Sequence, residues 1–264
     1  MRVRVRFAKT GKLRFISAID LGRVWERALR KADLPIAYSE GFSPHPKVSF
    51  GDALPLGYAS LAEFAELTFG GDMDLHVICQ RVNRAFPTGL EVLDARVSGD
   101  GDRRLGKLLQ ASLWTLDYAS GDGLAAAVAA LPDPGPLLVQ RERKGETITT
   151  DLRPPLAGIA AHGAQIRVIL RHPGFIPDHP EGGAAPRADD IHTILGLAHP
   201  PTLITRLAQG RVSPTIPGVD DALRDTTEPL VPGAEAGGAP SGAMPPDPAA
   251  AMPLPGPHIQ EDAR

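Results

Sequence analysis

Cysteine is nearly absent: Cys79 is the only one among 264 residues. That excludes an internal disulfide framework, a cysteine-based zinc ribbon and an iron–sulfur cluster supplied by this chain alone. Aromatic residues are also scarce, at 5%. No apolar run approaches the ~18 residues needed to cross a bilayer. The N-terminal Arg2-Val3-Arg4-Val5-Arg6-Phe7 alternates instead of running apolar, so it does not read as a secretory signal. The eight histidines show no HExxH or HxxxH spacing, and there is no GxSxG, Walker loop or GxGxxG after a strand. The expectation is a cytoplasmic protein with no membrane contact, no metal site and no cofactor site. His162 and His172 read as surface residues, and Cys79 as an inert thiol on an apolar helix face.

Glycine and proline are abundant, at 28 and 27 residues, and they gather in places. Residues 214–264 hold 11 prolines, six glycines, eight acids and two arginines, with no Phe, Trp or Tyr. Such a composition buries too little apolar surface to offset its ordering entropy. The chain therefore divides into 1–97, a linker over 98–107, a second unit over 108–212 and a disordered acidic tail over 213–264. The stretch 174–187 reads as a long proline-broken loop.

Charge is uneven. The net charge is −3, but residues 1–50 carry 11 Lys and Arg against four acids. A basic segment on an otherwise acidic chain points to an anionic partner.

Periodicity predicts strands at 2–7, 36–38, 47–50, 62–69 and 90–97, with extended backbone at 13–16. Helices are expected at 18–32 and 74–86. Ser17 through Asp20 matches the capping pattern [ST]-x-x-[DE], and Leu21, Val24, Trp25, Ala28, Leu29 and Ala32 form one apolar face. The second half predicts strands at 112–118 and 165–171, helices at 123–131 and 189–197, a hairpin of 137–143 with 146–151, and mixed structure at 203–212. Strand, helix, strands, helix, strand is the order of a split βαβ unit. The expected fold class is α+β: tandem, duplicated ferredoxin-like domains with antiparallel sheets, the first leaving one sheet face open, plus the tail.

Two surfaces carry candidate chemistry. In the loop Ser43-Pro44-His45-Pro46-Lys47, alternation points Ser43, His45 and Lys47 the same way on a stiff backbone. An imidazole between a hydroxyl and an ammonium suits phosphate binding or acid–base work. The same loop also reads as a rigid turn that places Phe42 in the core. The second surface is a basic stripe, Arg23, Arg27 and Arg30 at i, i+4, i+7, beside Arg4, Arg6, Lys9, Lys12 and Arg14 on adjoining strands. With Lys47, these are the candidate nucleic-acid contacts, since such surfaces bind phosphodiester backbones by charge. Asp20 and Glu26 are expected to neutralise Arg23 and Arg30 locally.

The run Arg6-Phe-x-Lys-x-Gly-x-Leu-Arg-Phe-Ile-Ser17 comes first, with Asp20-Leu21, Arg27-Ala28-Leu29-Arg30 and Leu34-Pro35-Ile36 after it. Ser39 through Lys47 (SEGFSPHPK), Leu54-Pro55-Leu56-Gly57 and Ala62-Glu63 complete the pattern. Together these resemble an uncharacterised radical-SAM-associated bacterial family, which occurs alone, or fused to or encoded beside B12-binding radical-SAM proteins. The resemblance is specific over about residues 4–70, looser to about 212 and absent from the tail. It implies a radical-SAM protein as partner and assigns no catalytic residue. The leading functional expectation is a non-catalytic accessory module, RNA-binding or substrate-presenting. The alternatives are a metal-independent RNA-processing enzyme using Ser43, His45 and Lys47, and a protein-interaction scaffold.

Overall fold

A computed structural model describes residues 1–99, 101–143, 145–178, 185–224 and 226–233. It is a mixed α/β fold dominated by a mostly antiparallel sheet. In the first half, β1 (Arg2–Lys9) is followed by α1 (Ala18–Lys31), β2 (Val48–Phe50), β3 (Ala59–Thr68), α2 (Leu75–Ala85) and β4 (Leu90–Ser98). A short α3 (Leu105–Leu108) leads into β5 (Ala111–Asp117), α4 (Leu124–Ala129), β6 (Leu138–Arg143) and β7 (Glu146–Asp151). Then come β8 (Leu156–His162), β9 (Gln165–Arg171), α5 (Ala188–Ile194), β10 (Leu203–Val212), β11 (Gly218–Asp221) and β12 (Thr227–Pro229).

Ten of these strands form one sheet, in the order β4-β1-β3-β10-β5-β9-β8, with β2 on β3 and β11 between β10 and β12. The two halves are therefore fused edge to edge. The seam is a parallel contact, the only one among the described residues, where Thr205 and Arg206 of β10 lie against Ala59 and Ser60 of β3. Gln209 reinforces it by donating to the Ala62 carbonyl at 2.6 Å. The hairpin β6–β7 stands apart as its own two-stranded sheet. Arg141 ties it to α5 by a two-pronged ion pair with Asp190.

Helix α1 forms where the sequence predicts it. Ser17 Oγ accepts the Asp20 N–H at 3.1 Å, a cap contributing about 1 kcal/mol. Leu21, Trp25, Ala28 and Leu29 bury its inner face. There they meet Val3, Val5 and Phe7 of β1, and Trp25 packs edge-on to Phe7 and Phe86 with ring centroids 5.1 and 4.7 Å away. Burying each such side chain contributes about 1.5–3 kcal/mol relative to exposure.

Four expectations need correction. The first-half sheet has no open face. Ala62 and Phe64 are covered by Leu105 and Leu109, with Ala222 and Leu223 against them, so β1 is buried on both sides. Apolar–basic alternation usually means one wet face, but here the basic side is closed by internal acids. The 98–107 segment connects the halves, yet it is not a free tether: Ser98 ends β4 and Leu105 is buried. Residues 13–16 are not extended, because Gly11, at φ +55°, opens a 3₁₀ turn over Gly11–Phe15.

The fourth correction is the start of the tail. Residues 213–233 carry β11 and β12, with Val219 and Leu230 buried against Ala111, Leu113 and Ile169. A composition average hides two well-placed apolar residues in an otherwise polar stretch. Gly210 permits the pairing, since a Cβ there would collide with the Asp220 carbonyl. The rest of the expected tail, 234–264, lies outside the described residues.

A candidate ligand-binding cleft

The basic residues separate into two groups. Arg4 and Lys9 are fully buried and Arg6 nearly so. Arg4 Nε bonds Glu66 at 2.9 Å, Arg4 Nη1 lies 3.6 Å from Asp102, and Arg6 Nε lies 3.3 Å from Asp221. Lys9 Nζ donates to the Ile16 carbonyl at 3.0 Å. Burial lowers the pKa of both Arg6 and Lys9, opposed by Asp221 in one case and Glu63 in the other. These three side chains hold the fold together and are not a phosphate-binding surface. Arg14 is half-buried, its guanidinium 4.7 Å over the Phe15 ring, and Lys12 is exposed.

Arg23, Arg27 and Arg30 are exposed along one stripe of α1. Arg23 pairs with Asp20 at 3.2 Å, and the Ser17 hydroxyl is the main cause holding the Asp20 carboxyl below its ordinary range. Arg27 and Arg30 have no ion pair among the described residues. Glu26 does not neutralise Arg30. It faces His45 instead, with Nδ1 3.4 Å away.

Ser43, His45 and Lys47 are exposed. Their loop is rigid: Ser39 N–H donates to the His45 carbonyl at 2.8 Å, and the Ser39 hydroxyl accepts the His45 N–H at 3.0 Å. No hydrogen bond or ion pair joins the three side chains among the described residues. Phe42, expected in the core, is fully exposed, since the loop turns outward. Cys79 is half-buried on the α2 apolar side, and burial pushes its thiol pKa up.

Further polar chemistry lies elsewhere, in a cleft of about 460 Å³ beside the seam. Its floor is Trp114 of β5, Leu170 of β9 and Arg206 of β10. One wall is the β2–β3 connection with Asp52, Pro55 and Tyr58, and the other is the chain around His172, Phe175 and Arg187. At the entry of the first wall Gly51 packs closely: a Cβ there would sit 2.8 Å from Leu109 Cδ1, and that side chain would have to shift. On the second wall, the His172 N–H extends the pairing by donating to the Gln110 carbonyl at 2.8 Å. Pro173 and Gly174, the latter at φ +84°, then turn the chain away.

Arg206 is 3% exposed. Its Nη1 donates to Glu63 Oε1 at 3.0 Å, and its guanidinium lies 4.5 Å over the Trp114 ring. Nε has no partner, and Nη2 makes no hydrogen bond among the described residues. Tyr58 packs edge-on to Trp114 at 5.7 Å, and its hydroxyl accepts the Asp189 N–H at 3.2 Å. Burial raises the Tyr58 pKa, so this phenol stays neutral.

His172 is not a simple surface residue. Its Nδ1 lies 2.9 Å from both Asp52 Oδ2 and the Leu109 carbonyl, and its Nε2 lies 2.7 Å from Ser112 Oγ. The hydrogen bond to His172 holds the Asp52 carboxyl below its ordinary range. Serine, histidine and aspartate in this order suggest a nucleophilic triad. Ser112, however, is fully buried on the central strand and does not line the cleft. The hydroxyl therefore positions the imidazole. A second, smaller cavity of about 80 Å³ shares the Asp52–Ala53 wall and is lined by Lys9 and Glu63. Glu63 thus sits between the buried lysine and the arginine of the cleft.

Sequence reading missed this site because its parts come from five separate stretches. The one available signal was the Leu54-Pro55-Leu56-Gly57 run beside Asp52, within a constrained loop.

No curated protein matches this chain. A family model described as "Uncharacterized protein conserved in bacteria (DUF2344)" matches residues 2–174, β1 through β9, and so includes Asp52, Tyr58, Trp114 and His172 but neither Arg187 nor Arg206. The match spans more than half of the chain, which therefore belongs to this family of uncharacterized proteins conserved in bacteria.

Proposed function

We propose that this protein is a non-catalytic, substrate-presenting accessory module that holds a small ligand in the cleft beside the seam. The observation that carries the reading is Arg206, a guanidinium almost wholly out of water, lining a cavity, with only part of its donor set engaged. Nη2 makes no hydrogen bond among the described residues, and a ligand in the cleft supplies its acceptor. The cavity volume falls in the range of small-molecule sites. A radical-SAM protein as the recipient rests on the sequence resemblance, and a cytoplasmic setting goes with it. No helix among the described residues is long and apolar enough to cross a membrane.

The fold reading that accompanies this is a duplicated ferredoxin-like unit. Its support is that β10-β5-β9-β8 repeats the spatial order of β4-β1-β3-β2, with β6–β7 inserted. The ligand site then lies where the two copies join.

RNA binding is a second reading, favoured by one observation: Arg27 and Arg30 stand exposed on the α1 stripe with no ion pair among the described residues. The RNA-processing alternative loses its support, because His45 is engaged by Glu26 rather than by Ser43 and Lys47. The scaffold alternative draws on residues 234–264, which lie outside the described residues.

Mass spectrometry of small molecules released by denaturing the full chain, purified from its own cells, tests the main reading. A stoichiometric ligand lost from Ala53→Trp, which plugs the cleft from an exposed position, supports it. Equal release from both proteins rejects it.

A further inference from the structure

Resting on the reading of the cleft as a ligand site, we propose that its ligand is a small organic monocarboxylic acid with an apolar, ring-sized body. Three features of the cleft specify this chemistry.

The first is the geometry of Arg206. Glu63 takes Nη1, which leaves the Nε–Nη2 edge of the guanidinium without an acceptor. Nε is closed off within the protein, so Nη2 is the donor left to meet a carboxylate oxygen from the cleft. Trp114 holds the guanidinium from one face, at 4.5 Å, so its orientation is set before a ligand arrives. Desolvation strengthens such a contact, because water does not compete for the donors.

The second feature is the charge of the site. Glu63 stands between Arg206 and Lys9, Asp52 is paired with His172, and Arg187 at the rim has no ion pair among the described residues. Two carboxylates thus face three cations, Arg206, Lys9 and Arg187. The site therefore accommodates one further negative charge. A dianionic phosphate brings a second, beside the Asp52 carboxylate.

The third feature is the rest of the lining. Pro55, Leu109, Leu170, Phe175 and Pro186 offer apolar surface around the polar end. A volume of about 460 Å³ takes a substituted ring.

The test uses the full chain and three probes of one shape: 1-naphthoate, 1-naphthyl phosphate and the neutral 1-naphthol, each titrated by calorimetry. Naphthoate is expected to bind about tenfold or more tightly than naphthol, the effect of one charge-assisted contact, and more tightly than the phosphate. The paired change Glu63→Gln with Arg206→Gln, which leaves no buried carboxylate unpaired, is expected to bring naphthoate down to the naphthol level. Should that double variant not fold, Asp52→Asn decides: it is expected to tighten naphthoate and leave naphthol unmoved, and an unchanged ratio overturns the proposal. Naphthol binding as tightly as naphthoate, with both lost in Ala53→Trp, keeps the cleft as a ligand site and overturns the acid assignment. The phosphate binding most tightly overturns the single-charge argument. Binding of none of the three overturns the cleft reading together with the proposal.

Discussion

The carboxylate of Asp52 and Nδ1 of His172 lie 2.9 Å apart, and they come from different halves of the chain. Asp52 sits on the β2–β3 connection and His172 just after β9, so the pair latches one half to the other. The Asp52 carboxyl is held below its ordinary range chiefly by the His172 hydrogen bond. A depressed carboxylate contributes stability that is present above its unfolded value and is lost as pH falls through the folded value. Acid unfolding below about pH 4 should therefore lose part of its steepness in Asp52→Asn. The side chain is 63% exposed, so the loss at neutral pH should stay below about 1 kcal/mol. Thermal melts across pH 2–7 check this, and an identical pH profile for the two proteins refutes the latch.

Glu63 and Arg206 form the opposite kind of pair, with both side chains more than nine-tenths buried. Glu63→Gln alone leaves a buried guanidinium without its counter-charge, and the expected cost is about 3–5 kcal/mol. The double change with Arg206→Gln should cost less than the single change. Denaturant titration of the three variants completes the cycle. Additive costs would show that the residues do not act as a pair.

Truncation separates the packed end from the remainder. Removal of residues 234–264 should leave the melting temperature unchanged, given their proline-rich composition without aromatics. Truncation after Val212 removes β11 and β12, uncovers Arg6 and deletes buried Val219 and Leu230. It should destabilise by about 3 kcal/mol or more, the burial of two aliphatic side chains. Calorimetry on both truncations reads the difference, and two equal melting temperatures would show that β11 and β12 add nothing.

If the α1 stripe binds RNA, charge reversal at Arg23, Arg27 and Arg30 should weaken binding across sequences and flatten its dependence on salt. Filter binding at a series of salt concentrations measures both. Salt-insensitive binding, or an unaffected triple variant, removes the RNA reading while leaving the cleft untouched.

His45→Ala should be nearly silent. It removes one exposed contact to Glu26, and exposed pairs contribute about 0–1 kcal/mol. A large loss of stability, or of RNA binding, would show that the Pro44-His45-Pro46 loop does more than turn the chain.

Local signals determined a good part of this protein. The Ser17 cap, the 3.6-residue spacing of Leu21, Trp25, Ala28 and Leu29, and Gly145 between β6 and β7 each act over a few residues. They placed α1, α2, most first-half strands, the β6–β7 hairpin, β5, β9 and α5 to within a few positions. What the side chains face is not a local property. The Arg4 and Arg6 run looks the same on an exposed strand as on one closed by Glu66, Asp102 and Asp221, acids that lie far along the chain. β8, β11 and β12 escaped notice for the same reason, since their strand character comes from pairing with β9 and β10. The cleft is the extreme case. Asp52, Leu109, Trp114, His172 and Arg206 carry no shared spacing, and only the parallel seam between β3 and β10 brings Glu63, Arg206 and the Asp52 loop together. Periodicity decided which elements form, and long-range strand pairing decided which charges are buried and where a ligand can sit.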